Sequence, residues 1–528
     1  MKLKVTFLFF WTCLIAVSIA KAQLSQPFRF EKEIKGSEQG PMVVSLKKEG
    51  LALISDDEES LQGQKKWLIE ILDSTLSKIW STDIELNNRA LLVGFEYNTN
   101  HVYFLFREGE SSYYNFQLFT INFVEQKVSH DDVKFEIDFK LTHFTMSGSS
   151  GIFGGYINSE PAVLLYDRSS SHPKVLPGLF MRDTKLLDVR ANQNESFNIL
   201  LAERKDRDKT ILGVRTFDHQ GNLLIDDNID IDPRYSVLNG ITSVLERDEL
   251  MIVGTYAEGS GREALGLFSS VVDPFSEQMV NYIDFASMDH FLDYLGPKRA
   301  EDIKNKSQKL KTQGLLPNFT ASVLPVRIEE RSNGFFLLAE VYRSNQVNSN
   351  NYWRTNSYPA NTLGSPYYGY GSGYNMYNPS YASPYPTARS SPHLEVQMFE
   401  SLVVQIDPNG NVQKSASIKL DNVRSNGIEQ TGDFVLKQDS IFLLYKKDND
   451  IFYQEELRAD DDKPTVNQTK IKLNSFNDEL KFDQTQEGST RHWFGEHFYV
   501  WGYQTIRDKT RVSDKVRRVF YVNRITVE

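Results

Sequence analysis

Val214-Arg-Thr-Phe-Asp218-His-Gln-Gly221-Asn-Leu-Leu224 can be laid over Val404-Gln-Ile-Asp407-Pro-Asn-Gly410-Asn-Val412. Each piece reads as a strand, a tight turn that needs Gly or Asn at positive φ, and a return strand. Ile229 and Ile418 then fall at the same offset from the turn aspartate. A strand–turn–strand unit that recurs in this way is the outer hairpin expected of a propeller blade.

A second piece recurs around it. Leu91-Leu-Val-Gly-Phe95, Ile152-Phe-Gly-Gly-Tyr156, Met251-Ile-Val-Gly-Thr-Tyr256, Phe336-Leu-Leu-Ala-Glu-Val-Tyr342 and Phe498-Tyr-Val-Trp-Gly-Tyr503 look like one strand type. Each has a small residue near its centre and an aromatic at its end. Grouped four strands to a unit, the chain divides at about 41–86, 89–138, 140–181, 184–231, 236–285, 320–421, 427–474 and 480–528. Most units match the ~40–50 residues of a blade repeat. The last unit shows only three strands and ends in Val519-Phe-Tyr-Val-Asn-Arg-Ile-Thr-Val527, while Phe28-Arg-Phe-Glu-Lys-Glu-Ile34 is left over. The N-terminal strand is therefore predicted to complete the last blade and close the ring, leaving no open sheet edge. The predicted fold is all-β: a single β-propeller of seven or eight four-stranded blades over residues 23–528. A stack of β-sandwiches is the runner-up, but it needs linkers that the chain does not show.

Two insertions break the rhythm. In 286–312, Phe291, Leu292 and Leu295 suggest a short helix that Gly296-Pro297 ends, followed by a basic helical stretch from Lys298 to Lys311. The second, 343–392, is low in complexity and rich in Tyr, Ser, Asn, Gly and Pro. It is expected to be an irregular or disordered loop joining the second and third strands of the sixth blade.

The N-terminus reads as a secretory leader over 1–22. Lys2 and Lys4 precede a nearly continuous apolar run from Val5 to Ala20, and Ala20-Lys21-Ala22 offers small residues to a signal peptidase. The run is shorter than the ~18–20 residues of a spanning helix. Acylation at Cys13 is disfavoured because Phe10-Trp11-Thr12 is too bulky for the slot before a lipidated cysteine. Cys13 is the chain's one cysteine, so cleavage leaves no disulfide, thiolate metal site or cysteine nucleophile. The 70 acidic and 59 basic residues give a net charge of −11, and the leader takes Lys2, Lys4 and Lys21 with it. An acidic chain of this kind is a poor nucleic-acid binder, which needs a basic face to release phosphate counterions.

Candidate chemistry is sparse. His492-Trp-Phe-Gly-Glu496-His497 superficially resembles His-x-x-Glu-His, but three residues separate the first His from the Glu and the context is a strand, not a helix. It reads better as the loop before strand His497–Trp501. Asp226-Asp-Asn-Ile-Asp230-Ile-Asp232 and Asp448-Asn-Asp450 hold enough oxygens for calcium, yet they lack the Gly and terminal Glu of an EF-hand, and solvated strand edges explain them equally. Gly148-Ser-Ser-Gly151 lacks the spacing of a nucleophile elbow. Gly369-Tyr-Gly371-Ser-Gly373 follows no strand and opens no helix. No cofactor or metal is expected from these patterns, and no catalytic residue can be named. Paired carboxylates stay open, since their separation is set in three dimensions.

The most distinctive stretch is the second insertion. Tyr358, Tyr367, Tyr368, Tyr370, Tyr374, Tyr377, Tyr381 and Tyr385 sit among small and polar residues. Tyrosines on adaptable loops give large contact area at low entropic cost. Tyr367, Tyr368, Tyr370, Tyr374, Tyr377 and Tyr381 are thus the candidate binding residues, against the plainer reading of a solvated insert without a ligand. The basic stretch Lys298, Arg299, Lys304, Lys306, Lys309 and Lys311 could dock on an anionic surface or simply be solvated.

The Gly-aromatic strands, the Lys-rich helical insert after the fifth unit and the return through Ser401-Leu-Val-Val-Gln-Ile-Asp407-Pro-Asn-Gly410 together resemble a group of exported propeller-like proteins of Gram-negative bacteria. The likeness covers most of residues 240–445. It implies a fold and an envelope or extracellular address, and no reaction. The expectation is therefore an exported, non-enzymatic binding or scaffold protein of the cell envelope: periplasmic, outer-membrane-associated or extracellular. It would present a propeller face and the Tyr-rich loop to a protein or polysaccharide partner, with no nucleic acid and no transmembrane segment in the mature chain. The alternative is an enzyme acting on an extracellular polymer with carboxylates in the propeller funnel.

Overall fold

A computed structural model describes residues 24–528 except 36–39, 62, 110–114, 171, 207–208, 246–248, 274–277, 346–394, 426–427, 439, 458–464, 484–487 and 510–515. The expected leader and all six candidate tyrosines lie outside the described residues. Eight antiparallel sheets follow one another along the chain, at 42–87, 90–134, 140–175, 184–230, 235–284, 322–425, 432–470 and 478–527. They are numbered here as blades 1 to 8 of a β-propeller. The first seven are simple four-strand meanders.

Hydrophobic burial explains why the sheets stand as a ring. Each apolar cluster is shared by two neighbouring blades, and the last joins blade 8 to blade 1. Every blade is therefore buried on both faces. Because side chains alternate along a strand, successive residues feed opposite cores. Val102, Phe104 and Phe106 face blade 1, whereas Tyr103 and Leu105 face blade 3. Such inner strands read as continuous apolar runs, and alternation with polar residues survives only towards the rim. A stack of sandwiches would instead pair sheets two by two, and this packing is not found.

The outer hairpins are as expected from sequence. Asp218 Oδ1 accepts from the N–H groups of Gln220 (2.9 Å) and Asn222 (2.8 Å), and Asp407 Oδ1 accepts from those of Asn409 (2.9 Å) and Asn411 (2.8 Å). Gly221 and Gly410 follow at φ +81° and +85°. Both turns also seat on the preceding blade: Lys174 Nζ donates to Gln220 O, and Ser269 Oγ donates within hydrogen-bond reach to Gly410 O at 2.5 Å. Ile229 and Ile418 are both fully buried.

The small-residue strands need one correction. Ile152, Met251, Phe336 and Phe498 lie in second strands, but Leu91–Phe95 belongs to the innermost strand of blade 2, Ala90–Asn98. At two of these positions, Gly155 and Gly254, the small residue has a clear cause. The innermost strands of blades 2 to 6 each carry a register shift, at Leu92/Gly94, Leu141/His143, Leu186/Asp188, Val237/Asn239 and Pro325/Arg327. These bulges push backbone towards the neighbouring strand. A Cβ on Gly254 would lie 2.2 Å from the Asn239 carbonyl oxygen, and one on Gly155 would lie 2.2 Å from that of Lys140. Gly254→Ala is accordingly expected to cost about 3 kcal/mol in urea unfolding, the upper end of overpacking costs.

Ring closure also follows the sequence. The strand Leu24–Glu33 pairs with Val516–Val527 of blade 8 from Leu24↔Val527 to Glu33↔Val519. The chain's first strand is thus the outermost strand of its last blade. The innermost lane of that blade is split between Asp478–Asp483 and Thr490–Phe494, both paired to His497–Asp508.

The first insertion differs from expectation in its opening. Phe291, Leu292 and Leu295 form no α-helix; 3-10 turns occur at Phe285–Ser287 and Asp293–Leu295. Phe285, Phe291 and Leu292 are instead fully buried in the blade 5–6 core. Gly296 at φ +83° then admits Pro297 as the first residue of helix α1, Pro297–Thr312, a position where the missing N–H costs nothing. The second insertion does join the second and third strands of blade 6; the second strand runs further than expected, to Asn345, while the third begins at Glu395, and these two residues face each other.

Candidate functional site

Propeller chemistry concentrates where innermost strands line the central channel. The bulges re-aim side chains there. Gly94, His143, Asp188, Asn239 and Arg327 follow the shifts directly, and Glu96, Thr145, Arg190 and Glu329 come two residues later.

These side chains tie blade to blade. Glu96 Oε2 of blade 2 accepts from Thr145 Oγ1 of blade 3 at 2.7 Å. Asp188 Oδ2 of blade 4 accepts from the N–H (2.7 Å) and Oγ1 (2.9 Å) of Thr242 in blade 5, and from Arg190 Nε at 3.2 Å. Asn239 Nδ2 donates to Val323 O of blade 6 at 3.2 Å. Arg327 of blade 6 forms an ion pair with Asp433 of blade 7, whose Oδ2 accepts from the His492 N–H of blade 8 at 2.7 Å. Trp493 Nε1 donates to Gly50 O at 3.0 Å, joining blade 8 to blade 1. One strand further out, buried Glu340 of blade 6 accepts from the N–H groups of Thr431 (2.9 Å) and Gly432 (2.7 Å) and from Ser401 Oγ (2.8 Å).

The electrostatics match this role. Burial acts to raise the Asp433 carboxyl, but the Arg327 guanidinium and His492 outweigh it, so Asp433 sits below the ordinary carboxylate range. Burial pushes Glu340 up to about 7 against its three donors. Burial keeps His143 neutral, at about 4. Asp433, held ionised by Arg327 and by the His492 N–H of the next blade, is fixed as a structural acceptor.

The channel has one distinctive member, Lys47, in the 3-10 turn Lys47–Glu49 after the first strand of blade 1, at φ +54°. It senses Arg327, Asp433 and Glu329 of blades 6 and 7 as well as Glu96 of blade 2. Burial, reinforced by Arg327, lowers its pKa to about 8. At about pH 8 roughly half of Lys47 is unprotonated, against well under ~1% of a lysine of ordinary pKa, so amine-selective acylation is expected to modify it up to about a hundredfold faster. Peptide mapping after brief labelling checks this; Lys47 left unlabelled while other lysines react would contradict it.

The remaining sequence candidates resolve into local contacts. His492 and His497 flank a tight turn at Gly495-Glu496. His492 Nε2 contacts Gly495 O (2.8 Å), His497 Nδ1 contacts Thr526 Oγ1 (3.0 Å), and Glu496 pairs with Lys437 at 3.4 Å. Asp226 pairs with Arg215 (3.0 Å), Asp230 with Lys209 (3.3 Å) and Asp232 with Arg234 (2.7 Å), so these acids act as strand-edge ion pairs. No group of three or more His, Cys, Asp or Glu side chains set to hold a metal occurs among the described residues. Gly148 and Ser149 form the turn between two strands of blade 3.

The structure also joins two features that the sequence left apart. Tyr294 of the first insertion stacks on Phe399 of blade 6 (5.4 Å, 27°), and the Arg343 guanidinium lies over the same ring at 5.4 Å. Phe399 and Arg343 belong to the two strands that carry residues 346–394. His290 of the insertion faces Asp293 (3.1 Å) and Glu456 of blade 7 (3.7 Å). The hydrogen bond to Asp293 is the largest cause of its raised pKa. Sequence reasoning had no signal for this meeting, because Tyr294 and Phe399 are brought together only by blade 6.

No protein-family model matches the chain, and no curated protein matches it. Solved structures similar to parts of it include a point mutant of the Synechocystis apocarotenoid oxygenase, at 6% identity over 44% of this chain and 61% of that one, TM-score 0.29. The cobalt-substituted Synechocystis enzyme aligns at 6% identity over 47% and 64%, TM-score 0.29. Prolyl oligopeptidase B from Galerina marginata aligns at 8% identity over 92% and 55%, TM-score 0.36. The chain thus spans 61% and 64% of the length of the two oxygenase structures. Likeness at this level transfers no residue, substrate or reaction. No helix among the described residues is long and apolar enough to cross a membrane.

Proposed function

We propose that this protein is a non-enzymatic binding or scaffold protein of the cell envelope, and that its recognition surface lies at blade 6, where the first insertion meets the strands that carry residues 346–394. The observation that carries this reading is the Tyr294–Phe399–Arg343 contact at the base of the hairpin bearing the Tyr-rich segment. Segments that leave a repeat are where a scaffold presents specificity. The inner-strand acids support the same reading, since the blade junctions already use them. The partner is an envelope protein or polysaccharide met by Tyr367, Tyr368, Tyr370, Tyr374, Tyr377 and Tyr381.

The test is capture from native envelope by the mature protein and by a variant with 346–394 replaced by a two-residue turn. Asn345 and Glu395 already face each other, so that closure leaves blade 6 intact. A component retained by the full chain and lost with the segment supports the reading. Equal capture by both proteins, or none by either, rejects the segment as the recognition element.

A further inference from the structure

Helix α1 carries six cations against two acids, on a chain whose net charge is −11. Its inner face is settled: Ala300 and Ser307 are buried, and Ile303 packs on the blade 5–6 core. Lys311 pairs with Asp284. Lys298, Arg299, Lys304, Lys306 and Lys309 are all exposed, and among the described residues no carboxylate pairs with any of them.

Helix stability accounts for only part of this charge: Lys309 and Lys311 sit in the last turn, where the macrodipole favours cations. Lys298 and Arg299 sit in the first turn, which contains no acid, and the helix macrodipole disfavours cations there. Unpaired like charges along one helix repel, and the i,i+4 partners that would relieve them are not engaged. Where a local rule is broken without internal compensation, the compensation is sought outside the molecule. Immediately beyond the helix, Leu315 stands 55% exposed while Leu316 turns inward onto the blade 4–5 core. The cations are spread along a helix about 24 Å long, so they form a band and not a pocket.

We propose that helix α1 is a peripheral membrane-contact element that lays its cations on anionic lipid headgroups, with Leu315 entering the interface. Complementary charge supplies the attraction, at roughly 1 kcal/mol per cation near an anionic surface, which is about fivefold in partitioning. A band of cations beside one exposed leucine suits a planar surface that is charged outside and apolar beneath. This contact is separate from partner recognition by the Tyr-rich segment, so each can fail while the other stands.

The test is sedimentation of the mature protein with phosphatidylcholine vesicles, with and without phosphatidylglycerol. Binding is expected only with the anionic lipid. It should be lost at ~1 M salt, where the screening length falls to about 3 Å. A variant carrying K304Q, K306Q and K309Q should bind about a hundredfold more weakly, while its unfolding curve matches wild type because the three side chains are exposed. Leu315→Asp should also weaken binding at unchanged fold. Equal binding to both vesicle types, an unaltered triple variant, or capture by dextran sulfate beads without vesicle binding would each overturn the proposal.

Discussion

Deleting residues 24–33 is expected to abolish cooperative unfolding of the ring and to leave a chain that self-associates. The strand they form covers Val516–Val527, whose Val519, Phe520, Tyr521 and Val522 are fully buried. Without it the last blade ends in an apolar, unpaired edge, a template for pairing with another chain. The strand also reaches blade 7. Gln26 Nε2 donates to Lys470 O at 2.8 Å, and Arg29 Nη1 donates to Lys472 O at 3.0 Å. Arg29 further donates to Glu31 (2.6 Å), Asn523 (2.9 Å) and Gln504 (2.8 Å) and lies over the Tyr521 ring. Its side chain is only 5% exposed. Arg29→Ala, which keeps the strand, removes a buried and fully engaged cation and should cost about 3 kcal/mol. Urea unfolding of the single variant and sedimentation of the deletion check the two effects. A monomeric deletion variant with wild-type stability would show that the N-terminal strand does not close the ring.

Glu340 is expected to make the protein less stable as pH rises through the range just below neutrality. In the unfolded chain a glutamate titrates near ~4.3, whereas in the fold burial raises Glu340 to about 7. The folded state therefore holds the proton more tightly between those values. The resulting stabilisation is fully present below about pH 4.3 and is lost as pH climbs through about 7. Glu340→Gln is permanently neutral and removes this slope. The stability difference between wild type and variant should shift by on the order of 2 kcal/mol between about pH 4.5 and 7.5, in the direction that favours the variant at the higher pH. Other groups cancel in that difference. Hydrogen bonds within the turns hold Asp73, Asp218 and Asp407 below the ordinary value despite some burial. Their contribution is present above about pH 4 and lost as pH falls further. That of His143, which burial holds at about 4, is lost as pH falls from ~6.5 towards that value. Urea unfolding at the two pH values provides the measurement, and parallel curves for wild type and variant would place Glu340 in water.

Local signals made the architecture legible. The Asp218 and Asp407 turns with Gly221 and Gly410 mark outer hairpins because only those residues suit that backbone. The spare strand at Phe28–Ile34 pointed to closure because the last unit was one strand short. What the sequence hid was the identity of the channel residues. The bulges that aim them appear only as register shifts between paired strands, and the residues they join are distant: 54 positions separate Asp188 from Thr242, and 106 separate Arg327 from Asp433. One hint was readable. Glu96 and Glu340 are lone acids inside apolar strands, and such an acid is stable only with donors waiting for it. The short helix read at Phe291–Leu295 is confined to the 3-10 turn Asp293–Leu295 because Phe291 and Leu292 are drawn into the blade 5–6 core, which overrode local propensity.

The proposed function rests on the inner-strand carboxylates serving to couple neighbouring blades, as their inter-blade hydrogen bonds suggest. Asp188 tests it most directly, being fully buried and bonded to Thr242 of the next blade. Carboxylates poised for catalysis tend to be strained, and replacing them tends to stabilise a protein. A latch behaves in the opposite way. Urea unfolding of Asp188→Asn is predicted to show a loss of about 3 kcal/mol, and unchanged or increased stability would contradict the account.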